Sequence, residues 1–347
     1  MKYSDHIIKE DSTLRFTIEK LTALAKDLTV FVVDGSGRML GTITDGDIRR
    51  AIIAGHNLDA NVKDFMFTNF RYLDTSGKAF LQLSEYRRLG IKLIPVLDSE
   101  KRIKQIINLE VQKAILPLDA VIMAGGRGER LSPLTDSTPK PLLKVGDKPI
   151  IEYNVDLLAS YGITNVNITL KYLGDQIEKY LGTGSDKGLE IKYYTENDAL
   201  GTIGAVSLIK SFSNEHVLIM NSDLLTNIDF EGMYNMFLSE NADMVVASIP
   251  YDVSIPYAVL KCEGEVIENI DEKPVFTYYS NAGIYIVKRE HLKHIPANEK
   301  FHATDLVELL IKNKYKVVHF PIREYWLDIG KHDDYIKAQK DIKHLKF

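Results

Sequence analysis

The sequence predicts two α/β units in one chain of 347 residues, a small duplicated unit followed by a larger one built on a mostly parallel sheet. Three observations predict it. From residue 117 onward, short apolar runs alternate with helix-length stretches, a pattern that calls for a parallel sheet covered on both faces. Residues 1–115 contain one helix–strand–turn–strand–helix pattern twice, at an offset of 63. A glycine-rich loop follows directly on the first buried run of the larger unit, at the kind of strand end where such sheets bind ligands.

Composition sets the bounds. Apolar residues at 45% and charged residues at 26% suit water-soluble globular units with their own cores. With 43 basic and 48 acidic side chains the net charge is −5, so no nucleic-acid or membrane surface is expected. No stretch reaches the ~18 apolar residues of a membrane span, and MKYSDHIIKEDST is too polar for a secretory signal. Cys262 is the single cysteine, which excludes an intramolecular disulfide and a cysteine-held zinc. A cytoplasmic protein is expected. His291 and His294, three apart, are read as a solvated helix face, because no third ligand completes a metal site.

In the first unit, Asp11-Ser12-Thr13 and Asp74-Thr75-Ser76 are helix-capping clusters ahead of periodic apolar stretches. Val30-Phe31-Val32-Val33 matches Leu93-Ile94-Pro95-Val96, and Gly41-Thr42-Ile43 matches Lys104-Gln105-Ile106. The tandem pattern, with Gly41-Thr42-Ile43-Thr44-Asp45-Gly46-Asp47 in its first copy, resembles a pair of cystathionine-β-synthase (CBS) domains. The resemblance implies a regulatory nucleotide site in which Thr44 meets a phosphate and Asp47 accepts from ribose hydroxyls. A plain dimerisation module, with Asp47 capping the next helix, is the alternative. At the same offset the second copy offers Ile107 and Glu110, and Ile107 cannot bond a phosphate.

The second unit, residues 117–347, opens with the buried run Ala120-Val121-Ile122-Met123 and the loop Ala124-Gly125-Gly126-Arg127-Gly128-Glu129-Arg130. Small residues let backbone N–H groups approach a phosphate chain, and Arg130 and Lys140 supply fixed cations. A dinucleotide fingerprint would need glycine at Leu131, and no Gly-Lys-Ser/Thr closes a Walker loop. A helix from Pro149 to a stop at Gly162 follows, then strands at Val166–Leu170, Ile191–Tyr194 and Val217–Met220.

LPLDAVIMAGGRGERLSPLTDSTPKPLLKV, residues 116–145, resembles the N-terminal signature of the sugar-1-phosphate nucleotidylyltransferases. Five later segments resemble that family's motifs in order. They are Glu196 with Leu200-Gly201-Thr202, Asn221-Ser222-Asp223, Asp271-Glu272-Lys273-Pro274, Asn281-Ala282-Gly283-Ile284-Tyr285 and Trp326-Leu327-Asp328-Ile329-Gly330. The resemblance implies a Rossmann-like fold and nucleotide binding by Ala124, Gly125, Gly126, Gly128, Glu196, Gly201 and Thr202. It implies Mg²⁺ on Asp223 and Asp328, and a sugar phosphate gripped by Lys273, with Glu272, Asn281 and Gly283 around the sugar. Arg130, Lys140, Asp223 and Lys273 are then the catalytic set.

The expected reaction joins an NTP and a sugar 1-phosphate into an NDP-sugar, releasing pyrophosphate. Glu196, an acceptor-only carboxylate, suits the adjacent N–H donors of guanine. CBS domains ahead of such an enzyme resemble bacterial glucosamine-1-phosphate guanylyltransferases of legionaminic acid synthesis. A uridylyl- or thymidylyltransferase is the alternative, or a nucleotide sensor without activity. A homodimer or higher homo-oligomer is expected.

Overall fold

The computed structural model describes residues 3–74 and 80–345 and divides into two compact units, Met1–Ile115 and Leu116–Phe347. In the first, β1 (Ile7–Lys9) lies parallel to β2 (Thr29–Val33), which pairs antiparallel with β3 (Met39–Thr44). Helix α1 (Leu14–Ala23) starts where the Thr13 hydroxyl accepts from Phe16 N–H, as the capping cluster predicts. It packs Leu14 and Leu21 against Val30 and Val32. Helix α2 (Asp45–Ile53) follows β3 directly. The second copy comprises β4 (Leu73–Asp74), α3 (Phe80–Arg88), β5 (Leu93–Leu97) and β6 (Ile103–Asn108). The capping residues Thr75 and Ser76 lie outside the described residues. Phe31 and Met39 of one copy share a buried cluster with Leu93 and Leu97 of the other.

The repeat differs from the sequence reading in two ways. Thr29 faces Thr44 where Leu93 faces Asn108, so the strands correspond at an offset of 64. Asn108, not Ile107, is therefore the counterpart of Thr44, and Ile107 is a buried core residue opposite Ile94. After β6, residues 109–117 form turns and irregular chain, so the expected closing helix of the second copy is missing.

The second unit is organised on β7 (Leu118–Ala124), whose Ala120, Val121 and Ile122 are completely buried. Parallel neighbours are β10 (Asn165–Leu170), with β11 (Glu190–Thr195) beyond it, and β12 (His216–Asn221) on the other side. Between β7 and β10 come the short β8 (Lys144–Val145) and β9 (Lys148–Pro149), then α4 (Ile150–Ser160), which ends at left-handed Gly162. Helix α5 (Gly174–Leu181) links β10 to β11. Past β12 come β13 (Leu224–Thr226), α6 (Phe230–Ser239) and the long β14 (Met244–Ser254). A hairpin of β15 (Val259–Glu263) and β16 (Val266–Asp271) precedes β17 (Val275–Lys288). The chain ends with α7 (Ala303–Lys312), β18 (Val317–Pro321), β19 (Trp326–Asp328) and α8 (His332–Asp341).

Among the described residues the central sheet has the order β11-β10-β7-β12-β17-β14-β18, with only β17 antiparallel to its neighbours. It is the mostly parallel α/β sheet expected. His291 departs from the expected solvated face. It lies in a short 3₁₀-helix, Arg289–His294, and is buried against Asp243 (Nε2 to Oδ1 3.1 Å). No described helix is long and apolar enough to cross a membrane.

Candidate active site

Two adjoining cavities open at the carboxyl ends of β7, β10 and β12, where the strand order concentrates loops. The larger, about 580 Å³, is lined by Gly125, Gly126, Lys140, Glu196, Gly201, Thr202 and Asp223. The smaller, about 360 Å³, is lined by Asn281, Gly283, Thr304, Trp326 and Asp328. Thr202 and Asn221 belong to both walls.

Gly125 lies hard against Glu196. A Cβ built there would stand 2.6 Å from Glu196 Oε1, so any larger residue would push this carboxylate from its place. Glu196 is buried, and its Oε2 accepts the Leu200 backbone N–H at 3.0 Å. Burial pushes its carboxyl pKa up, against the opposing pull of the Leu200 N–H and Lys171. Thr202 Oγ1 accepts Ala303 N–H at 2.9 Å, fastening the loop to the start of α7. His302 and Asp305 cap that helix, with His302 N–H donating to Asp305 at 2.7 Å.

Asp223 follows β12 and Asp328 ends β19. The β13–β19 ladder places Leu224 opposite Asp328, bringing the two carboxylates together. Lys140, itself buried, donates to Asp223 Oδ2 and lies 3.9 Å from Asp328 Oδ1. Burial and the neighbouring Asp223 push Asp328 up to about 6, although Lys140 and Arg130 oppose the shift. Oδ1 of Asp223 and Oδ1 of Asp328 are both buried and without a hydrogen-bond partner. Two acceptor-only oxygens left so, beside a single lysine, fit a hard divalent cation that takes carboxylate ligands.

The other sequence-predicted residues divide. Arg130 is exposed, and its Nη2 and Asp328 Oδ1 both lie within 4 Å of the Cβ position at Gly330. Ala124 is buried at the end of β7, and Gly128 packs behind Lys140 at left-handed φ +68°, so neither lines the larger cavity. Asn281 Oδ1 accepts from Gly283 N–H (2.9 Å) and Tyr285 O–H (3.0 Å), holding the wall of the smaller cavity.

Two expectations fail in this conformation. Glu272 and Lys273 are exposed and line neither cavity; they lie in the turn between β16 and β17, where the first residues of β17 pair only with the outer part of β14. In the first unit, Thr44 lines a cleft of about 450 Å³ between the repeats, but Asp47 does not. Its carboxylate is occupied by Thr44 N–H (2.8 Å), Thr44 O–H (2.7 Å) and Arg50 (2.5 Å), as a capping box.

Sequence reasoning passed over Thr169, Lys171, Tyr172 and Lys300, which also line the larger cavity, with Arg127 stacked over the Tyr172 ring at 5.3 Å. Lys171 and Tyr172 directly follow β10, so the carboxyl-end rule applied to the glycine loop could have found them. Lys300 carries no such signal.

A glycine-rich loop, two converging carboxylates and two adjoining cavities lie at the carboxyl ends of a Rossmann-like sheet, the arrangement of a ligand-binding α/β domain. The profile of the nucleotidyl transferase family matches residues 119–344, and that of the CBS domain residues 1–54. The D-glycero-α-D-manno-heptose 1-phosphate guanylyltransferase of Aneurinibacillus thermoaerophilus is 31% identical over 233 residues, 65% of this chain and 99% of that protein. The mannose-1-phosphate guanylyltransferase of Mycobacterium tuberculosis is 28% identical over 65% of this chain, which spans 64% of that relative's length. A solved Bacillus anthracis structure, described as a glucose-1-phosphate thymidylyltransferase in complex with sucrose, aligns with a TM-score of 0.55 at 25% identity. It covers 66% of this chain and 97% of its own. The chain belongs to the nucleotidyl transferase family and carries a CBS domain at its N-terminus.

Proposed function

We propose that the chain transfers a nucleotidyl group from an NTP to a sugar 1-phosphate, with GTP the favoured nucleotide. The observation that carries this is the pair of buried carboxylate oxygens of Asp223 and Asp328 without a hydrogen-bond partner, where the two cavities adjoin. The larger cavity, with its glycine loop, suits the nucleotide, and the smaller one the sugar. A sugar-phosphate oxygen attacks the α-phosphorus, a new P–O bond forms, and the bond to pyrophosphate breaks. The nucleophile is already anionic, so the chain's task is alignment and charge neutralisation. Asp223 and Asp328 would hold Mg²⁺, which when bound supplies Lewis-acid neutralisation of phosphate oxygens. Lys140 holds positive charge at the junction, and Arg130 adds a second cation beside Asp328.

Glu196 supports guanine, because a buried carboxylate facing the glycine loop can accept from two adjacent N–H donors. Glucosamine 1-phosphate, and through it legionaminic acid synthesis in a bacterial cytoplasm, is the favoured sugar on domain order. Lys273 and Glu272 reach the sugar phosphate only if the arm that bears them moves. The first unit, read as a CBS pair, takes a regulatory nucleotide in its cleft, where Thr44, Lys26, Arg71 and Lys92 offer phosphate partners.

Pyrophosphate release with Mg²⁺, across GTP, UTP, dTTP and ATP crossed with glucosamine, mannose and glucose 1-phosphates, tests the reading. GTP with glucosamine 1-phosphate should give the highest kcat/KM. No release with any pair would refute it.

A further inference from the structure

Arg127 stands inside the glycine-rich loop and lines the larger cavity, with its guanidinium 5.3 Å over the centre of the Tyr172 ring. The Tyr172 hydroxyl donates to the Asp136 carbonyl (2.9 Å), and Gln176 Nε2 donates to that of Ser137 (3.1 Å). The turn after β10 is thereby tied to the chain that leads from the glycine loop to Lys140, and the ring is fixed beside that loop. Apart from the ring, Arg127 is uncommitted. Among the described residues its nearest carboxylate, Glu129, is 3.8 Å away, beyond hydrogen-bond distance, and both side chains are mostly exposed. Its N–H donors, set in a planar fork at a cavity wall, suit phosphate oxygens.

The course of the loop tells which part of a nucleotide Arg127 meets. At one end Gly125 abuts Glu196, and at the other Gly128 packs against Lys140, which donates to Asp223. Thr202 and Asn221 are the walls shared with the smaller cavity, so a nucleophile held there arrives from their side. In an in-line displacement the leaving group departs opposite the nucleophile, and Arg127 lines the larger cavity but not the smaller. Charge agrees with this placement. Lys140 is engaged by Asp223, and Arg130 lies beside Asp328, so both carboxylates already have a cation. A triphosphate brings more negative charge than one divalent ion offsets, and its outer phosphates need a further partner.

We propose that Arg127 binds the β- and γ-phosphates, the pyrophosphate half of the NTP, and that Tyr172 is the positioning residue that holds its guanidinium beside them. The inference rests on the larger cavity being the NTP site, and it names the group there that tells a triphosphate from a monophosphate. Arg127 then adds to the affinity for NTP and for released pyrophosphate, and nothing to that for a nucleoside monophosphate.

Calorimetric titration of the full-length protein in Mg²⁺ with GTP, UTP, pyrophosphate or GMP, without sugar phosphate, is the test. Arg127→Ala should weaken GTP, UTP and pyrophosphate by about tenfold or more, and GMP by less than about twofold. Arg127→Lys keeps the charge but not the fork, so it should recover part of that loss. Tyr172→Leu should weaken GTP less than Arg127→Ala does, and should cost nothing further in the Arg127→Ala background. That non-additivity separates a ring acting through Arg127 from one that only supports the loop. Equal losses for GTP and GMP in Arg127→Ala would put the side chain at the base or ribose and overturn the proposal. Unchanged affinities for GTP and pyrophosphate would overturn it too, leaving a solvated surface arginine. Either result, with GTP bound by the unaltered protein, leaves the cavity's assignment standing. An unaltered protein that binds none of these ligands overturns both.

Discussion

Asp223 and Asp328, far apart in the chain, are held side by side by backbone: Leu224 is registered opposite Asp328, and Ile329 N–H donates to the Asp223 carbonyl at 3.1 Å. Their spacing is therefore set by a strand ladder and not by side-chain flexibility. Asp223→Asn should keep the ladder and lose the chemistry, since a neutral amide is a poor ligand for Mg²⁺ beside a triphosphate. We expect a fall in kcat of about 10²-fold or more, with an unchanged circular dichroism spectrum. Pyrophosphate release under saturating substrates measures it. Near-normal turnover would remove Asp223 from the metal site.

Glu196 offers a second test. Glu196→Gln keeps shape and swaps one acceptor oxygen for an NH₂ donor. Facing guanine, that donor meets other donors, and the GTP/UTP ratio of kcat/KM should fall by about 10–100-fold. Gly125→Ala should raise KM for the nucleotide as well, because its Cβ would sit 2.6 Å from Glu196 Oε1. A GTP/UTP ratio indifferent to Glu196→Gln would mean this carboxylate does not read the base.

The parts of the site that lie next to a strand were legible in the sequence. Ala120–Met123 announced its own burial, and the glycine loop and Asn221-Ser222-Asp223 followed as carboxyl-end loops. The convergence of Asp328 on Asp223 needed the register of two three-residue strands, which no periodicity reveals. Glu272 and Lys273 show the opposite failure. Their motif was plain, but the pairing of β17 with the outer part of β14 decides where they lie. In the first unit the offset was misread by one because both strands are apolar. Only the pairing of Thr29 with Thr44 and of Leu93 with Asn108 fixes it.

Asp243 should govern acid stability of the second unit. Burial would raise its pKa, but the bonds from Lys288 Nζ, the Lys316 N–H and His291 hold it down to about 2. A carboxylate with a depressed folded pKa contributes stability that is full above its unfolded value, ~3.9, and lost as pH falls toward 2. We expect about 1–2 kcal/mol to disappear between roughly pH 4 and 2. In Asp243→Asn that pH-dependent part should be absent and the neutral-pH stability lower. Urea titrations of both proteins across this range measure it, and parallel pH profiles would show that Asp243 is not responsible.

Asp47 separates the two readings of the first unit. With Thr44 N–H, Thr44 O–H and Arg50 all on its carboxylate, it has the bonds of a helix cap and does not line the cleft. Asp47→Ala should therefore cost about 1 kcal/mol locally and speed hydrogen exchange across Thr44–Ile53. Nucleotide affinity should change little. Arg71→Ala, which removes a cation from the cleft wall, should weaken a bound nucleotide by about tenfold and leave that exchange unaltered. Calorimetric titration of the full chain with adenine and guanine nucleotides, beside hydrogen exchange, distinguishes the two effects. If Asp47→Ala abolished binding without loosening α2, its carboxylate would have to leave the cap and meet the ribose when nucleotide arrives.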